Sequence, residues 1–161
     1  MKKISIGRGR IVRYGLALAL LFSACGNKTL IDETHPFENN TWLRFNPEIF
    51  KVQVNNTDIS NCVALTLRYD TAIFQQSQLP LLVDFYIDSN ELHNFAPVMR
   101  LRDSKGKLRG EMVGQYCTIT DTIDARRTYN SPGLYTYRIK QRTSKYEIHG
   151  INSLTLKIVE N

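Results

Sequence analysis

The sequence predicts an all-β domain: an antiparallel, jelly-roll-like β-sandwich of about eight strands, with little helix outside the N-terminal signal segment. Two observations carry this prediction. Short segments in which apolar and polar residues alternate are separated by turn-forming residues along most of the chain. In addition, no window keeps the period of an amphipathic helix over the length of a normal helix. Regularly spaced short strands of this kind are typical of sandwiches and barrels.

The predicted strands follow one another from residue 49 to residue 159. Leu81–Ile87 is almost continuously apolar, which indicates a central strand. After the short strand Val98–Arg102, Asp103–Gly106 has the composition of a turn. The segment 71–78 fits either one short helix or a loop. The other predicted strands are residues 49–54, 63–69, 108–119 (one or two strands), 134–141 and 154–159.

The first 24 residues have the three parts of a secretory signal peptide. An apolar stretch, Tyr14–Phe22, leads into Ser23 and Ala24, and Cys25 follows directly. A cysteine after small residues at the cleavage site resembles a lipobox, which predicts that lipid is attached to Cys25. A transmembrane helix is the alternative, but the apolar stretch is about half the ~20 residues that span a bilayer. The basic residues that open the signal are Lys2, Lys3, Arg8, Arg10 and Arg13.

The signal peptide also explains the charge of the chain. The formal net charge is +6, but the signal holds five of the 21 basic residues and none of the 15 acidic ones, so the remainder carries +1. A nearly neutral domain without a basic stripe gives no electrostatic basis for binding nucleic acid. The sequence therefore predicts no nucleic-acid partner.

Beyond the signal, the sequence predicts two parts. Residues 25–36 are polar and lack periodicity, which favours a flexible spacer between the lipid and the fold. The sandwich domain then occupies residues 37–161. Within it, Cys62 and Cys117 can form a disulfide outside the cytoplasm, or they can remain two separate buried thiols.

Several motifs in the same order resemble a known family, the GldH-type gliding-motility lipoproteins. The opening Phe37–Trp42 lies soon after the lipobox, and Pro132–Gln141 resembles the Pro-Gly-x-Tyr strand of the family. The other matching landmarks are Leu79–Leu81, Arg102–Lys107, Ile148–Ile151 and Leu154–Ile158. The resemblance implies a non-enzymatic envelope lipoprotein that supports the gliding apparatus, and its linked protein secretion system, through contacts with other envelope lipoproteins.

The resemblance leaves the membrane leaflet open. Residues Gly26, Asn27 and Lys28 lack the acidic cluster associated with export to the cell surface in these bacteria. We therefore expect a protein anchored in the outer membrane and facing the periplasm.

A carbohydrate-binding lipoprotein of a glycan-uptake system is the alternative function. It requires a row of exposed aromatic residues, and Trp42, Tyr135 and Tyr137 are the best candidates. We favour the other interpretation of Trp42, in which the only tryptophan of the chain is an anchor of the core.

Catalytic, metal and cofactor motifs are lacking in the sequence. The three histidines, His35, His93 and His149, show no pairing at ligand spacing. The acidic segments 88–91 and 121–124 lack the spacing of an EF-hand and are expected to be solvated turns. We therefore predict no catalytic residues, no metal and no cofactor.

Two tripeptides are candidates for modification. Asp70-Thr71-Ala72 and Asp121-Thr122-Ile123 resemble an O-glycosylation signal of exported proteins. They predict sugar on Thr71 and Thr122.

Overall fold

The computed structural model describes residues 28–88 and 90–161. These residues form twelve β-strands and one three-residue 3-10 turn, Glu38–Asn40. The strands are β1 (Thr29–Pro36), β2 (Thr41–Leu43), β3 (Glu48–Val54), β4 (Asn61–Asp70), β5 (Gln78–Ile87), β6 (Asn90–Phe95), β7 (Val98–Arg100), β8 (Glu111–Val113), β9 (Tyr116–Arg127), β10 (Gly133–Gln141), β11 (Glu147–His149) and β12 (Ile151–Glu160).

The strands form two antiparallel sheets around one core. The first sheet has the order β1-β12-β4-β9-β8, and the second has the order β3-β10-β5-β6 with β7 also paired to β5. A separate two-stranded ribbon consists of β11 and β2. The predicted antiparallel sandwich is confirmed. The described part of the chain has twelve strands rather than about eight because four of them, β2, β7, β8 and β11, have only three residues each.

Buried and exposed side chains alternate along the central strands, so one face of each sheet lies in the core. Leu65 and Leu67 of β4 are fully buried, and so are Tyr137 and Ile139 of β10 in the facing sheet. Removing a large apolar side chain from water stabilises the fold by about 1.5–3 kcal/mol. The predicted strands 49–54, 63–69, 81–87, 98–102, 134–141 and 154–159 each coincide with an observed strand to within a few residues at their ends. The predicted segment 108–119 contains β8 and only the start of β9, which continues to Arg127. Residues 90 and 91, expected to belong to a turn, begin the unpredicted strand β6.

Trp42 closes the core at one end of the sandwich. Its side chain is fully buried, its ring stacks on Phe37 at 4.8 Å between centroids, and its indole N–H donates a hydrogen bond to the carbonyl of Asn46 at 3.1 Å. The prediction that Trp42 is a core anchor is confirmed.

The flexible spacer predicted for residues 25–36 is wrong for residues 29–36, which form β1. This strand pairs along β12 from Thr29 opposite Val159 to Pro36 opposite Ser153. It lies at the sheet edge, and most of its side chains are exposed, so it needs little apolar alternation to form. Residues 25–27 of the predicted spacer, like the signal peptide 1–24, lie outside the described residues.

Two loop predictions have different outcomes. Residues 121–124 were expected to form a turn, but they belong to β9, where Asp121 pairs with Leu65 and Asp124 pairs with Val63 of β4. Both carboxylates are half-buried opposite core residues and paired with arginines, Asp121 with Arg109 at 3.0 Å and Asp124 with Arg127 at 2.7 Å. The strand therefore continues through charged residues, whose composition alone indicates a turn. Residues 71–77, predicted as a short helix or a loop, form a loop that leads into β5.

Candidate functional site

The sandwich has two ends, which we call the N-terminal end and the far end. At the N-terminal end, the carbonyl of Lys28 accepts a hydrogen bond from the backbone N–H of Glu160 at 2.9 Å, and β1 starts at Thr29. At the far end, β1 finishes at Pro36 and β4 finishes at Asp70. The eight residues of β1 span about 25 Å at ~3.3 Å per residue.

A cleft of about 820 Å³ opens at the far end. We call it the far-end cleft; its lining consists of residues 73–76, 78, 80 and 142–149. Phe74 and Ile148 are its buried apolar members. Its volume is in the range of sites that hold a small molecule or several residues of a peptide.

The loop after β4 forms one wall of this cleft because Asp70 organises it. The buried Asp70 accepts a hydrogen bond on Oδ1 from the N–H of Ala72 at 2.8 Å, and its carbonyl accepts one from the N–H of Phe74 at 2.8 Å. An aspartate that binds the backbone two residues ahead stabilises a tight turn. Gln115 donates to the second carboxylate oxygen, so this carboxylate is occupied by structural contacts.

Gly150 allows the loop after β4 to pack closely against the chain between β11 and β12. Its φ of +84° is in the left-handed region, and a Cβ there would lie 2.9 Å from Cβ of Ile73 and 3.1 Å from the backbone nitrogen of Phe74. Only glycine meets both conditions without strain. The close approach explains why a glycine stands between β11 and β12.

Two exposed aromatic side chains lie at the rim of the cleft. Phe45 is 73% exposed and Tyr146 is 62% exposed, and their ring centroids are 5.8 Å apart. Both lie in turns rather than in the alternating strands. Exposed aromatic pairs of this kind are enriched at protein interfaces.

Cations surround the aromatic pair. Arg44, Arg142 and Lys145 are exposed, and the guanidinium of Arg44 lies 5.9 Å from the centroid of the Phe45 ring. A neighbouring cleft of about 580 Å³ adds Arg138 and Lys140 to this region. Lys140 is paired with the buried carboxylate of Asp84 at 2.6 Å, whereas Arg142 and Lys145 have no side-chain ion pair within the described ranges. The far end therefore combines aromatic surface with unneutralised positive charge.

Two of the three histidines, His35 and His149, lie beside carboxylates, and His93 lies 3.1 Å from the guanidinium of Arg127. His35 bonds to Glu33 at 2.9 Å and Glu48 at 2.8 Å; burial on its own lowers the pKa of His35, but the two carboxylates raise it above 6.5. His149 lies 3.2 Å from Glu147 at the edge of the far-end cleft. Among residues 28–88 and 90–161, no group of three or more histidine, cysteine or acidic residues could hold a metal ion.

The structure separates the two cysteines that were candidates for a disulfide. Both are free thiols. Cys117 pairs with Tyr69 at the far end of β4, and burial together with the Cys117 thiol raises the pKa of Tyr69. Cys62 lies at the other end of β4, about 23 Å away at ~3.3 Å per residue. Because a disulfide requires Cα atoms within ~7 Å, this distance excludes the disulfide. Of the two alternatives for these cysteines, the structure has two separate thiols, one half-buried and one buried.

The two candidate glycosylation sites lie in different settings. Thr71 is half-buried, and its hydroxyl donates a hydrogen bond to the carbonyl of Gln115 at 3.0 Å. Thr122 is exposed on the outer face of β9, 3.9 Å from the sulfur of Cys62. Cys25, the predicted site of lipid attachment, lies outside the described residues.

The aromatic candidates for a carbohydrate groove are buried. Trp42, Tyr135 and Tyr137 are each at most 1% exposed. They pack in the core, and the hydroxyl of Tyr137 lies 3.0 Å from that of Tyr129 in a buried pair. None of the three can stack on a sugar at the surface.

A family model, the GldH lipoprotein, matches residues 29–158 of the chain. The chain belongs to this family. The match begins where β1 begins and ends within β12, so it covers the whole sandwich. No curated protein matches the chain. In the described part of the molecule, no helix is long and apolar enough to cross a membrane.

Family membership identifies this GldH-family protein as a lipid-anchored lipoprotein of the cell envelope that is associated with gliding motility. The far-end cleft was not predicted from the sequence. One feature of the sequence points to the cleft. Phe45 and Tyr146 are aromatic residues next to Arg44 and Lys145, and they lie outside the alternating strands whose apolar residues form the core.

Proposed function

We propose that this GldH-family lipoprotein is a non-enzymatic accessory component of the gliding apparatus and of the protein secretion system linked to it. In this proposal, lipid on Cys25 holds it at the periplasmic face of the outer membrane, and the far end binds other envelope lipoproteins. The observation that carries the proposal is the position of the far-end cleft, which lies at the opposite end of the sandwich from Lys28.

Chain geometry supports an outward orientation of the cleft. Cys25 is three residues before Lys28 and therefore lies within about 11 Å of it at ~3.6 Å per residue. The far end is about 25 Å from Thr29 along β1. A lipid on Cys25 thus keeps the N-terminal end near the bilayer and leaves the far end free to meet a partner.

The chemistry at the far end supports protein contact over catalysis. The exposed groups are the rings of Phe45 and Tyr146 and the cations Arg44, Arg142 and Lys145. Aromatic residues and arginine are enriched at the centres of protein interfaces and supply most of their binding energy. The acidic groups nearby are engaged, since Asp84 pairs with Lys140 and Glu147 pairs with His149.

Complementation in a gliding host tests the proposal. Deletion of the gene should abolish or strongly reduce surface spreading, and the wild-type chain should restore it. Cys25→Ser should not restore spreading although the protein is made, since the anchor is lost. The double variant Phe45→Ser with Tyr146→Ser should also fail, whereas Val113→Ser, at an equally exposed residue of β8, should restore spreading.

Spreading and secretion that are unchanged by deletion would overturn the proposal. The membrane face is tested separately by protease treatment. The protein should resist protease added to intact cells and should be digested once the outer membrane is permeabilised. Digestion in intact cells would place it on the cell surface instead.

A further inference from the structure

Within residues 28–88 and 90–161, β2 is the one strand paired with β11, and the other edge of β11 carries no strand. Ile148 of β11 lies opposite Trp42 of β2. On either side of this pair, the carbonyl of Tyr146 accepts from the N–H of Arg44 at 2.8 Å, and the N–H of Gly150 donates to the carbonyl of Asn40 at 2.8 Å. Residues 146 and 148 and the N–H of Gly150 are therefore directed toward β2, whereas the carbonyl of Gly150 accepts a hydrogen bond from the N–H of Asp70 at 2.7 Å.

Along an antiparallel strand, successive residues direct their backbone N–H and C=O groups alternately toward and away from the paired strand. The backbone N–H and C=O groups of Glu147 and His149 point away from β2. No residue of β2 lines the far-end cleft, whereas all three residues of β11 do. The unpaired edge of β11 therefore faces the far-end cleft.

We propose that an extended, acidic segment of a partner protein adds to β11 as a further strand inside the far-end cleft. Main-chain hydrogen bonds to Glu147 and His149 would supply affinity, and side-chain contacts to the walls would supply specificity. The inference rests on the proposed function, in which the far end binds other envelope proteins, and it adds the binding mode and the chemistry of the partner.

Charge complementarity identifies the segment as acidic. The exposed cations Arg142 and Lys145 line the cleft without a side-chain ion pair in the described ranges. Glu147 is the one carboxylate among the described residues that line the cleft, so the two cations exceed it by one charge. Carboxylates on the incoming segment would therefore meet positive charge that the fold itself does not neutralise.

The walls also select for an apolar side chain. Ile73 is 59% exposed and Tyr146 is 62% exposed, and they lie on opposite walls of the cleft. Side chains of an extended segment alternate between its two faces. In a segment where apolar and acidic residues alternate, the apolar side chains would therefore contact Ile73 and Tyr146, and the acidic side chains would face Arg142 and Lys145.

With the signal peptide removed before Cys25, as the sequence predicts, the remaining segment 25–27 is too short to be the occupant. Residues 25–27 start from Lys28 at the N-terminal end and reach about 11 Å at most. The far-end cleft is about 25 Å from there along β1. A second copy of the chain is a different occupant, and the experiment below distinguishes it.

A random library of displayed short peptides, screened against the full chain in detergent micelles, provides the probe. We expect the enriched peptides to be acidic with alternating apolar residues. The tightest peptide is then titrated against variants that change the edge or the charge. Glu147→Pro removes the N–H that faces the cleft but keeps the bonds to β2, since proline is tolerated where the N–H is not used in the ladder. Glu147→Ala is the matched control, because it removes the carboxylate and keeps the N–H.

The expected result is a loss of affinity of about tenfold for Glu147→Pro and of less than about twofold for Glu147→Ala. Arg142→Glu combined with Lys145→Glu should weaken the peptide by more than about tenfold, whereas Lys51→Glu, at an exposed residue of β3, should not. Equal effects of Glu147→Pro and Glu147→Ala, or enrichment of basic peptides or of none, would overturn the inference.

Hydrogen exchange of the wild-type chain gives a readout that does not depend on a variant folding. The amides of Glu147 and His149 should exchange quickly in the free protein and slowly with the peptide bound. The amides of Ile148 and Gly150 should be protected in both states. Protection of Glu147 and His149 without peptide, combined with dimerisation on sedimentation, would show that a second copy occupies the edge. Loss of spreading on deletion together with absent peptide binding would refute this inference and leave the proposed function standing.

Discussion

Replacing Gly150 by alanine tests how the far-end cleft is built. The residue has a left-handed φ of +84°, and a Cβ would meet Cβ of Ile73 at 2.9 Å and the backbone nitrogen of Phe74 at 3.1 Å. Neither atom is the end of a flexible side chain. The loop that forms one wall of the cleft must therefore move to accommodate the added methyl group.

The expected cost has two parts. Placing alanine in the left-handed region costs about 1 kcal/mol relative to glycine. The steric contact adds about 1–3 kcal/mol, as in other cases where a methyl group is forced into a packed site. Gly150→Ala should therefore lower the free energy of unfolding by about 2–4 kcal/mol.

Gly106→Ala separates these two parts. Gly106 has a φ of +80°, and a Cβ there would meet nothing within 4 Å. Its alanine variant should cost only the backbone part, about 1 kcal/mol. Urea unfolding of both variants, compared at equal m-value, measures the difference. If the two substitutions cost the same within about 0.5 kcal/mol, the close packing of Gly150 against Ile73 and Phe74 is refuted.

Three further predictions concern the core, the thiols and the histidines. Trp42→Ala should lower the free energy of unfolding by about 3–5 kcal/mol. Trp42→Phe should lower it by less, because the phenylalanine ring keeps most of the apolar contact. Equal losses of the two variants in urea unfolding would contradict this. Thiol titration in denaturant without reductant should find both Cys62 and Cys117 free. In the folded protein, Cys62 should react first because Cys117 is fully buried. Titration of only one of these two thiols, or of neither, would contradict this. The raised pKa of His35 contributes stability that is fully present below about pH 6.5 and is lost as the pH rises through the folded value. His35→Gln should therefore remove a decline in stability that sets in as the pH rises above about 6.5. The lowered pKa of His93 acts in the opposite range, since it costs stability as the pH falls below its unfolded value of 6.5.

The sequence predicted the long strands in which buried and exposed residues alternate, and missed β1, β6, the second half of β9 and the three-residue strands β2 and β11. β4 and β10 alternate between buried and half-exposed residues along their length, and this period is visible in their residues. β1 and the second half of β9 are mostly exposed, so their backbones are strands while their composition is that of loops. Pairing with a neighbour that is distant in sequence decided their structure, and a local pattern does not contain that information.

The candidate site could not be predicted from the sequence for a related reason. It brings together a loop after β4 and the segment between β10 and β12, which are more than sixty residues apart in the chain. The sequence left the choice between a disulfide and two separate thiols open because it does not contain the register of the strands. Cys62 and Cys117 belong to paired strands, but only the register of β4 against β9 shows that they lie at opposite ends.

The lipid and the proposed partner site are connected by a short path through the fold. β11 continues through Gly150 directly into β12, and β12 pairs with β1 over almost its whole length. A pull between a partner on β11 and a lipid on Cys25 would load the ladder of β1 and β12 along the strand axis. Several hydrogen bonds share such a shearing load, whereas peeling breaks them one at a time. β1 as an edge strand, rather than a loose spacer, thus gives a lipid-anchored protein a firm connection between its membrane end and the end that is free to bind.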